Sequence, residues 1–276
     1  MAEIIIDGKA VAAAVNAENA RKCAELTEKY GCRPGLAVVL IGDDPASQVY
    51  VSSKVKKCGE LGIYSEKIVL PKDATQAQVL EVIALLNGNP QIHGILVQSP
   101  PPPQIDEEQI ILSIDPKKDV DCFHPYNTGR LLQGDLTGNL PCTPYGVMKL
   151  LEYYKLPTSG KRAVVLGRSN IVGKPMMCLL SGKGADATVT LCHSRTRDLA
   201  DELRRADIIV GPIGIVIADS LLGEITPAMA AAVCQSSAAR VLIPINHCDN
   251  IVVGVPDQPI GQLVAAAVEK VKELIR

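Results

Sequence analysis

Tyr50 and Lys54 lie four residues apart in a segment read as helix, so their side chains share a face. Lys56 and Lys57 follow closely, and a solvated basic surface is the plainer use of three lysines. Gln98 closes the apolar run from Gly94, at the strand end where α/β sheets gather their ligands. A strand end capped by water is the alternative there. Asp119 and Asp121 stand in the segment from Lys117 to Asp121, where a turn or helix cap is the plainer use. Taken together, a tyrosine, a lysine, a glutamine and an aspartate from separate segments suit a flat aromatic heterocycle. The ring would stack on Tyr50, a carboxylate would bind its N–H edge, and the lysine would exchange protons.

A second group of residues surrounds a glycine turn. The apolar run Arg162 to Leu166 leads into Gly167, Arg168 and Ser169, and a helix-like run from Pro175 to Leu180 leads out beyond Gly173. Strand, glycine turn and helix set backbone N–H groups and a helix N-terminus against a phosphate. Ser169 replaces the second glycine of the usual fingerprint, and the spacing to Gly173 is longer, so a tight turn without a ligand is the alternative. An NAD site wants a carboxylate at the end of the next strand, yet Leu191 to Arg195 contains no acid. Arg168, Ser194 and Arg195 would instead receive a 2′-phosphate, which favours NADP, unless they form only a basic surface loop. Cys192 with His193 and His247 with Cys248 lack the spacing of a zinc site, so no metal is expected.

The elements that must position these residues follow from pattern. With 276 residues, 47% of them hydrophobic, the chain can bury the cores of two domains. A net charge of −2 argues against nucleic acid or an anionic membrane as partner. No apolar run reaches bilayer length, and the start of the chain lacks a signal pattern, so a cytoplasmic protein is expected. The nine scattered cysteines then read as reduced thiols. Strand-like segments at 3–6, 36–41, 68–70 and 94–98 alternate with helix-like segments at 9–30, from the turn at 42–47 to about Leu61, and 75–86. Residues 99–103 force an extended loop, and 115–141 reads as one long loop at a domain boundary. Beyond it, helix 143–154, strand 162–166, strand 188–191, helix 197–205 and strand 207–210 form a second unit, and a last apolar helix at 262–275 can pack on either one. Repeated β–α–β units predict mostly parallel sheets covered on both faces.

Seven segments in order resemble the bacterial bifunctional methylenetetrahydrofolate dehydrogenase/methenyltetrahydrofolate cyclohydrolase family. They are Tyr50 to Lys54, Gly94 to Gln98, Lys118 to Asp121 with Phe123 to Pro125, Asn127 to Leu131, Pro141 to Pro144, Gly167 to Pro175, and Cys192 to Thr196. The resemblance covers residues 1 to about 210. It implies an α/β fold of two domains, the second Rossmann-like and NADP-binding, with a folate cleft between them and a homodimer as the assembly. The implied boundaries are 1–120 for the folate domain, 121–141 for the connecting loop, 142–260 for the NADP domain and 261–276 for a C-terminal helix returning to the first domain. By the same resemblance Lys54 is the proton carrier, Tyr50 stacks on the folate, Gln98 tunes the lysine and Asp121 binds the pterin. Gly167, Arg168, Ser169, Gly173, Ser194 and Arg195 fall on the NADP side.

Two departures stand out. Cys122 occupies a position where the family usually has glycine, so a positive φ there would be strained. After Val210 the family's remaining motifs, including a glycine-rich loop that lines the cleft near nicotinamide, have no counterpart. The tail, with Gly211 to Ile215, Asp219 to Pro227 and Val241 to Asn246, resembles the end of a small uncharacterised Rossmann-like family, and the chain reads like a hybrid. The expected function is oxidation of 5,10-methylenetetrahydrofolate with NADP⁺ and hydrolysis to 10-formyltetrahydrofolate. A cyclohydrolase alone, or a non-catalytic folate- or nucleotide-binding protein, are the alternatives that the altered tail leaves open.

Overall fold

The computed structural model describes residues 6–213 and 239–243. The chain divides into two compact units, one of residues Ala12–Cys142 and one of Met1–Val11 with Thr143–Arg276. The expected strand at 3–6 falls, except for the buried Ile6, outside the described residues. So do the segment Asp219 to Pro227 and the helix at 262–275.

The first unit is built on a parallel sheet of order β2-β1-β3, from β1 (Gly35–Ile41), β2 (Tyr64–Leu70) and β3 (Gly94–Val97). The unbroken apolar run of β1 has a clear use. Ala37, Val39 and Ile41 pack on one side with α3 (Gln76–Gly88) and α4 (Glu107–Ser113), while Val38 and Leu40 pack with Val51 of α2 (Pro45–Glu60). A central strand buried on both faces needs apolar residues at every position, not alternate ones. Strand β2 starts earlier than Ile68 because it is an edge strand whose polar first half pairs all along β1. Helix α1 (Gly8–Tyr30) stops at Gly31, whose φ is +64°. Helix α4 was not expected from the sequence. It is short, and Asp106 caps it by accepting from Glu108 N and Gln109 N at 3.0 and 3.2 Å.

The long loop expected over 115–141 holds a helix, α5 (Pro125–Leu132). Its start is set by Pro125 in the first turn and by His124, whose Nδ1 accepts from Tyr126 N at 3.1 Å. Periodicity cannot reveal so short a helix. Helix α6 (Cys142–Tyr153) leads into the second unit, whose parallel sheet has the order β5-β4-β6-β7. Its strands are β4 (Arg162–Leu166), β5 (Thr188–Cys192), β6 (Ile208–Ile213) and β7 (Ala239–Ile243), and its helices are α7 (Gly173–Ser181) and α8 (Leu199–Arg205). Val164, Leu166, Cys192, Leu203 and Ile209 form its core. The tail segment Val241 to Asn246 begins inside β7, and its last three residues lie outside the described residues. In both sheets the first strand has the second on one side and the third on the other. That reversal opens a crevice at the carboxyl ends of the strands.

Among the described residues no helix is long and apolar enough to cross a membrane. Helix α3 is closed by a reciprocal cap: Thr75 Oγ1 accepts from Gln78 N at 3.3 Å, and Gln78 Oε1 accepts from Thr75 N at 2.8 Å. Thr75→Ala is therefore expected to lower stability by about 1 kcal/mol, read as a lower urea midpoint at unchanged denaturant slope.

Candidate active site and phosphate turn

Helix α2 starts where Asp44 accepts from Ser47 N at 2.8 Å and Pro45 presets the first turn. This start sets which face of the helix turns to the sheet. Val51 and Val55 fall on that face, and the exposed Tyr50 and half-buried Lys54 lie beside it, with Lys54 Nζ 5.3 Å from the Tyr50 ring centroid. Lys54 Nζ donates to Gln98 Oε1 at 3.1 Å. Gln98 stands just past β3, its backbone N–H held by Val39 O at 2.8 Å and its Nε2 donating to Ser99 O at 2.8 Å. That last bond decides which way the amide points and leaves its oxygen to the lysine. Lys54 is half-buried, whereas Lys56 and Lys57 are exposed and Lys57 pairs with Glu60. The basic-surface reading therefore fits the two later lysines and not the first.

Asp121 reaches the same place from the loop after α4. Lys118 Nζ donates to the carbonyls of Leu86, Asn87 and Asn89 at 2.8–2.9 Å, which ties the loop to the carboxyl end of α3. Asp119 is 3% exposed and accepts from Phe123 N, His124 N and Asn127 Nδ2. Asp121 lines a cavity of about 780 Å³ with Tyr50, Ser53, Lys54, Leu96, Val120 and Cys142. This is the size of a small-molecule pocket. A neighbouring space of about 30 Å³ beside Gln98, Asp119 and Phe123 is only water-sized. Burial pushes the Asp121 carboxyl up from 3.8 to about 6; Lys54 opposes the shift, Asp119 adds to it, and the Cys142 thiol lowers it by its hydrogen bond. Cys142 Sγ lies 3.9 Å from Asp121 Oδ1 and 3.7 Å from Val120 O.

Cys122 adopts φ +59° and is fully buried. The backbone that glycine would take without strain is thus kept by a residue with a side chain, at a cost of about 1–2 kcal/mol. Burial pushes its thiol up to about 11, which keeps it protonated and unreactive.

In the second unit, Gly167 follows β4 at φ +101° and its N–H donates to Cys192 O at 2.8 Å. Ser169 Oγ accepts from Val172 N and Gly173 N at 3.1 and 3.4 Å, closing the turn onto α7. A Cβ on Gly173 would lie 2.0 Å from Gly167 O, so the two backbone segments can approach only through a glycine. The register pairs Leu166 with Cys192, which sets this turn beside the one at 193–196. That second turn is held by His193 N to Thr196 Oγ1 and Thr196 N to His193 O, both 2.8 Å. Arg168, Ser169, Ser194 and Arg195 are exposed around the two turns.

The structure thus brings Tyr50, Lys54, Gln98 and Asp121 together in one unit, and Gly167, Arg168, Ser169, Gly173, Ser194 and Arg195 at one sheet end of the other. One residue built into the first site, Cys142, was named from the sequence only within the motif Pro141 to Pro144. Asp119 was named beside Asp121, with a turn or helix cap as its plainer use. Among the described residues no cluster of three or more His, Cys, Asp or Glu could hold a metal ion.

Fold and site define a two-unit α/β protein of the kind that pairs a Rossmann-like unit with a unit carrying a lysine-lined cavity. The profile of tetrahydrofolate dehydrogenase/cyclohydrolase, catalytic domain, matches residues 6–121, and that of the NAD(P)-binding domain of the same family matches 141–223. The chain belongs to the tetrahydrofolate dehydrogenase/cyclohydrolase family. It is 54% identical over 212 residues to the bifunctional protein FolD of Pelobacter propionicus, covering 76% of this chain and 73% of that one. The FolD of Oleidesulfovibrio alaskensis is 46% identical over 269 residues, 95% of this chain and 89% of that one. The crystal structure of Campylobacter jejuni FolD superposes with a TM-score of 0.77 at 41% identity, covering 89% of this chain and 82% of that one. The Trypanosoma brucei methylenetetrahydrofolate dehydrogenase-cyclohydrolase, complexed with NADP and an inhibitor, gives 0.75 at 33% identity over 90% and 93% of the two chains. The second profile runs past Val210, where the motifs recognised in the sequence stop.

The raised Asp121 carboxyl carries a stability cost that appears as pH rises from 3.8 to about 6 and is fully present above that. Asp121→Asn is expected to stabilise the protein above about pH 6, by up to about 3 kcal/mol, with no gain below about pH 4. Urea unfolding of both proteins at the two pH values measures it.

Proposed function

We propose that this chain oxidises 5,10-methylenetetrahydrofolate to 5,10-methenyltetrahydrofolate with NADP⁺ and hydrolyses the product to 10-formyltetrahydrofolate. The observation that carries the reading is the 3.1 Å bond from Lys54 to Gln98, beside a cavity also lined by Tyr50 and Asp121. The flat pterin stacks on the Tyr50 ring, and Asp121, charged above about pH 6, accepts from its N–H edge. Lys54 then stands beside the reacting carbon. It gives and takes protons as water adds to the methenyl carbon and the C–N bond opens. Gln98, its own amide held by Ser99 O, keeps the lysine on that heading.

Bound NADP⁺ supplies the hydride acceptor. Gly167, Ser169 and Gly173 would hold its pyrophosphate, because they form a strand–turn–helix with no room for a Cβ at Gly173, the arrangement that receives a phosphate at a helix start. Arg168, Ser194 and Arg195 favour a 2′-phosphate, since the stretch Leu191 to Arg195 offers no carboxylate. The NADP complex of the Trypanosoma brucei relative supports the same cofactor. A homodimer and a cytoplasmic location belong to this reading on the family resemblance. A cyclohydrolase without dehydrogenase activity is the second reading. It is favoured by the placement of Tyr50, Lys54, Gln98 and Asp121 together in the first unit, which the catalytic-domain profile matches over 6–121.

One pair of assays separates the two. Methylenetetrahydrofolate with NADP⁺ is expected to yield NADPH, and methenyltetrahydrofolate is expected to lose its absorbance. Hydrolysis without NADPH formation would leave the cyclohydrolase alone. Lys54→Ala is expected to slow hydrolysis at least 100-fold, and a variant with full hydrolysis sinks the role given to the lysine. Arg195→Ala is expected to raise the KM for NADP⁺ about tenfold while leaving that for NAD⁺ unchanged, as measured by dehydrogenase kinetics with each cofactor.

A further inference from the structure

We propose that Asp119 is the positioning residue for Asp121, holding the loop that presents Asp121 to the folate; the inference rests on the function proposed above. Asp119 is buried, and its hydrogen bonds run to the chain on both sides of Asp121. Downstream, Oδ1 accepts from Phe123 N at 3.3 Å, and Oδ2 accepts from His124 N at 2.9 Å and Asn127 Nδ2 at 2.8 Å. Its carbonyl accepts from Asn139 Nδ2 at 2.8 Å. Upstream, Asp119 N donates to Asp115 O at 3.0 Å, and the residue bridges in parallel to Ile95 on β3. The three residues between Asp119 and Phe123 therefore form a closed loop. Asp121 lies inside that loop, and the left-handed Cys122 makes its bend.

Only an acceptor with no donor of its own satisfies all three contacts. An asparagine here would turn an NH₂ toward at least one N–H group. All three donors are neutral amides. The nearby guanidinium of Arg130 is bound instead to Asp135 and Thr137. Asp119 is thus buried but fully hydrogen-bonded, close to Asp121 in the chain. Asp121 is faced by Lys54 from α2, by Cys142 at the start of α6 and by Asp119 from its own loop. Asp119 works against Lys54 and raises the proton affinity of Asp121.

The experiment measures KM and kcat for methenyltetrahydrofolate hydrolysis between about pH 5 and 8, in the unsubstituted protein, Asp119→Asn and Asn127→Ala. Asp119→Asn is expected to raise the folate KM about tenfold with a smaller change in kcat. It also moves the acid limb of kcat/KM to lower pH by about half a unit. Asn127→Ala keeps the charge and loses one donor, so it is expected to raise the folate KM by a smaller factor and leave the acid limb in place. An unchanged acid limb in folded Asp119→Asn, whatever its stability, overturns the inference and leaves the proposed function standing. If Asp119→Asn does not fold, Asn127→Ala decides alone: a raised folate KM with a smaller change in kcat supports the inference, and an unchanged folate KM overturns it. Absence of hydrolysis in the unsubstituted protein overturns the proposed function, and this inference with it.

Discussion

The hydrogen bond from Lys54 to Gln98 joins a helix that follows β1 to the end of β3, two elements 44 residues apart in the chain. It forms because β3 pairs with β1 on the side opposite β2, which puts the reversal of strand order next to the start of α2. The buried apolar strand β1 holds that arrangement rigid, packed on one face by α2 and on the other by α3 and α4. A lysine on a solvated helix would sample many rotamers at an entropic cost to any fixed geometry. Here a glutamine whose own amide is already committed takes one donor position and narrows that freedom.

The loop from Lys118 to Asp121 shows how four adjacent residues divide the labour. Lys118 closes a helix, Asp119 gathers the donors of the following turn, Val120 packs toward the cavity and Asp121 faces it. The strained Cys122 sits in the middle of this arrangement. Several independent hydrogen bonds over-determine the loop, and such surroundings can hold a non-glycine residue in left-handed backbone. Stability is lost twice here, through the backbone of Cys122 and through the buried carboxyl of Asp121. Both losses fall where the candidate site needs a fixed charge in a sheltered place.

The second unit relies on close backbone approach more than on side chains. Gly173 lies so near the Gly167 carbonyl that no Cβ fits, and Ser169 Oγ accepts from Val172 N and Gly173 N where the helix begins. The parallel register of β4 with β5 then sets the two turns side by side. From the sequence, the replacement of a glycine by Ser169 weakened the fingerprint. In the fold the serine hydroxyl satisfies helix N–H groups, so the exchange preserves the turn by a different bond.

The sequence by itself determined the alternation of strands and helices, the parallel sheets and the presence of two units, because burial on both faces writes a continuous apolar run at β1 and β4. It also brought out Tyr50, Lys54, Gln98, Asp121 and the glycine turn, through helical spacing, strand ends and the resemblance of their motifs to one family. Helices α4 and α5 were not legible, since one or two turns closed by capping leave no period to read. Only the tertiary structure decided which lysine of Lys54, Lys56 and Lys57 turns inward, that Asp119 is a buried hub rather than an ordinary cap, and that Cys122 keeps a positive φ. These depend on which donors and charges meet across elements distant in sequence, and such contacts exist only once the sheet has set its strands side by side.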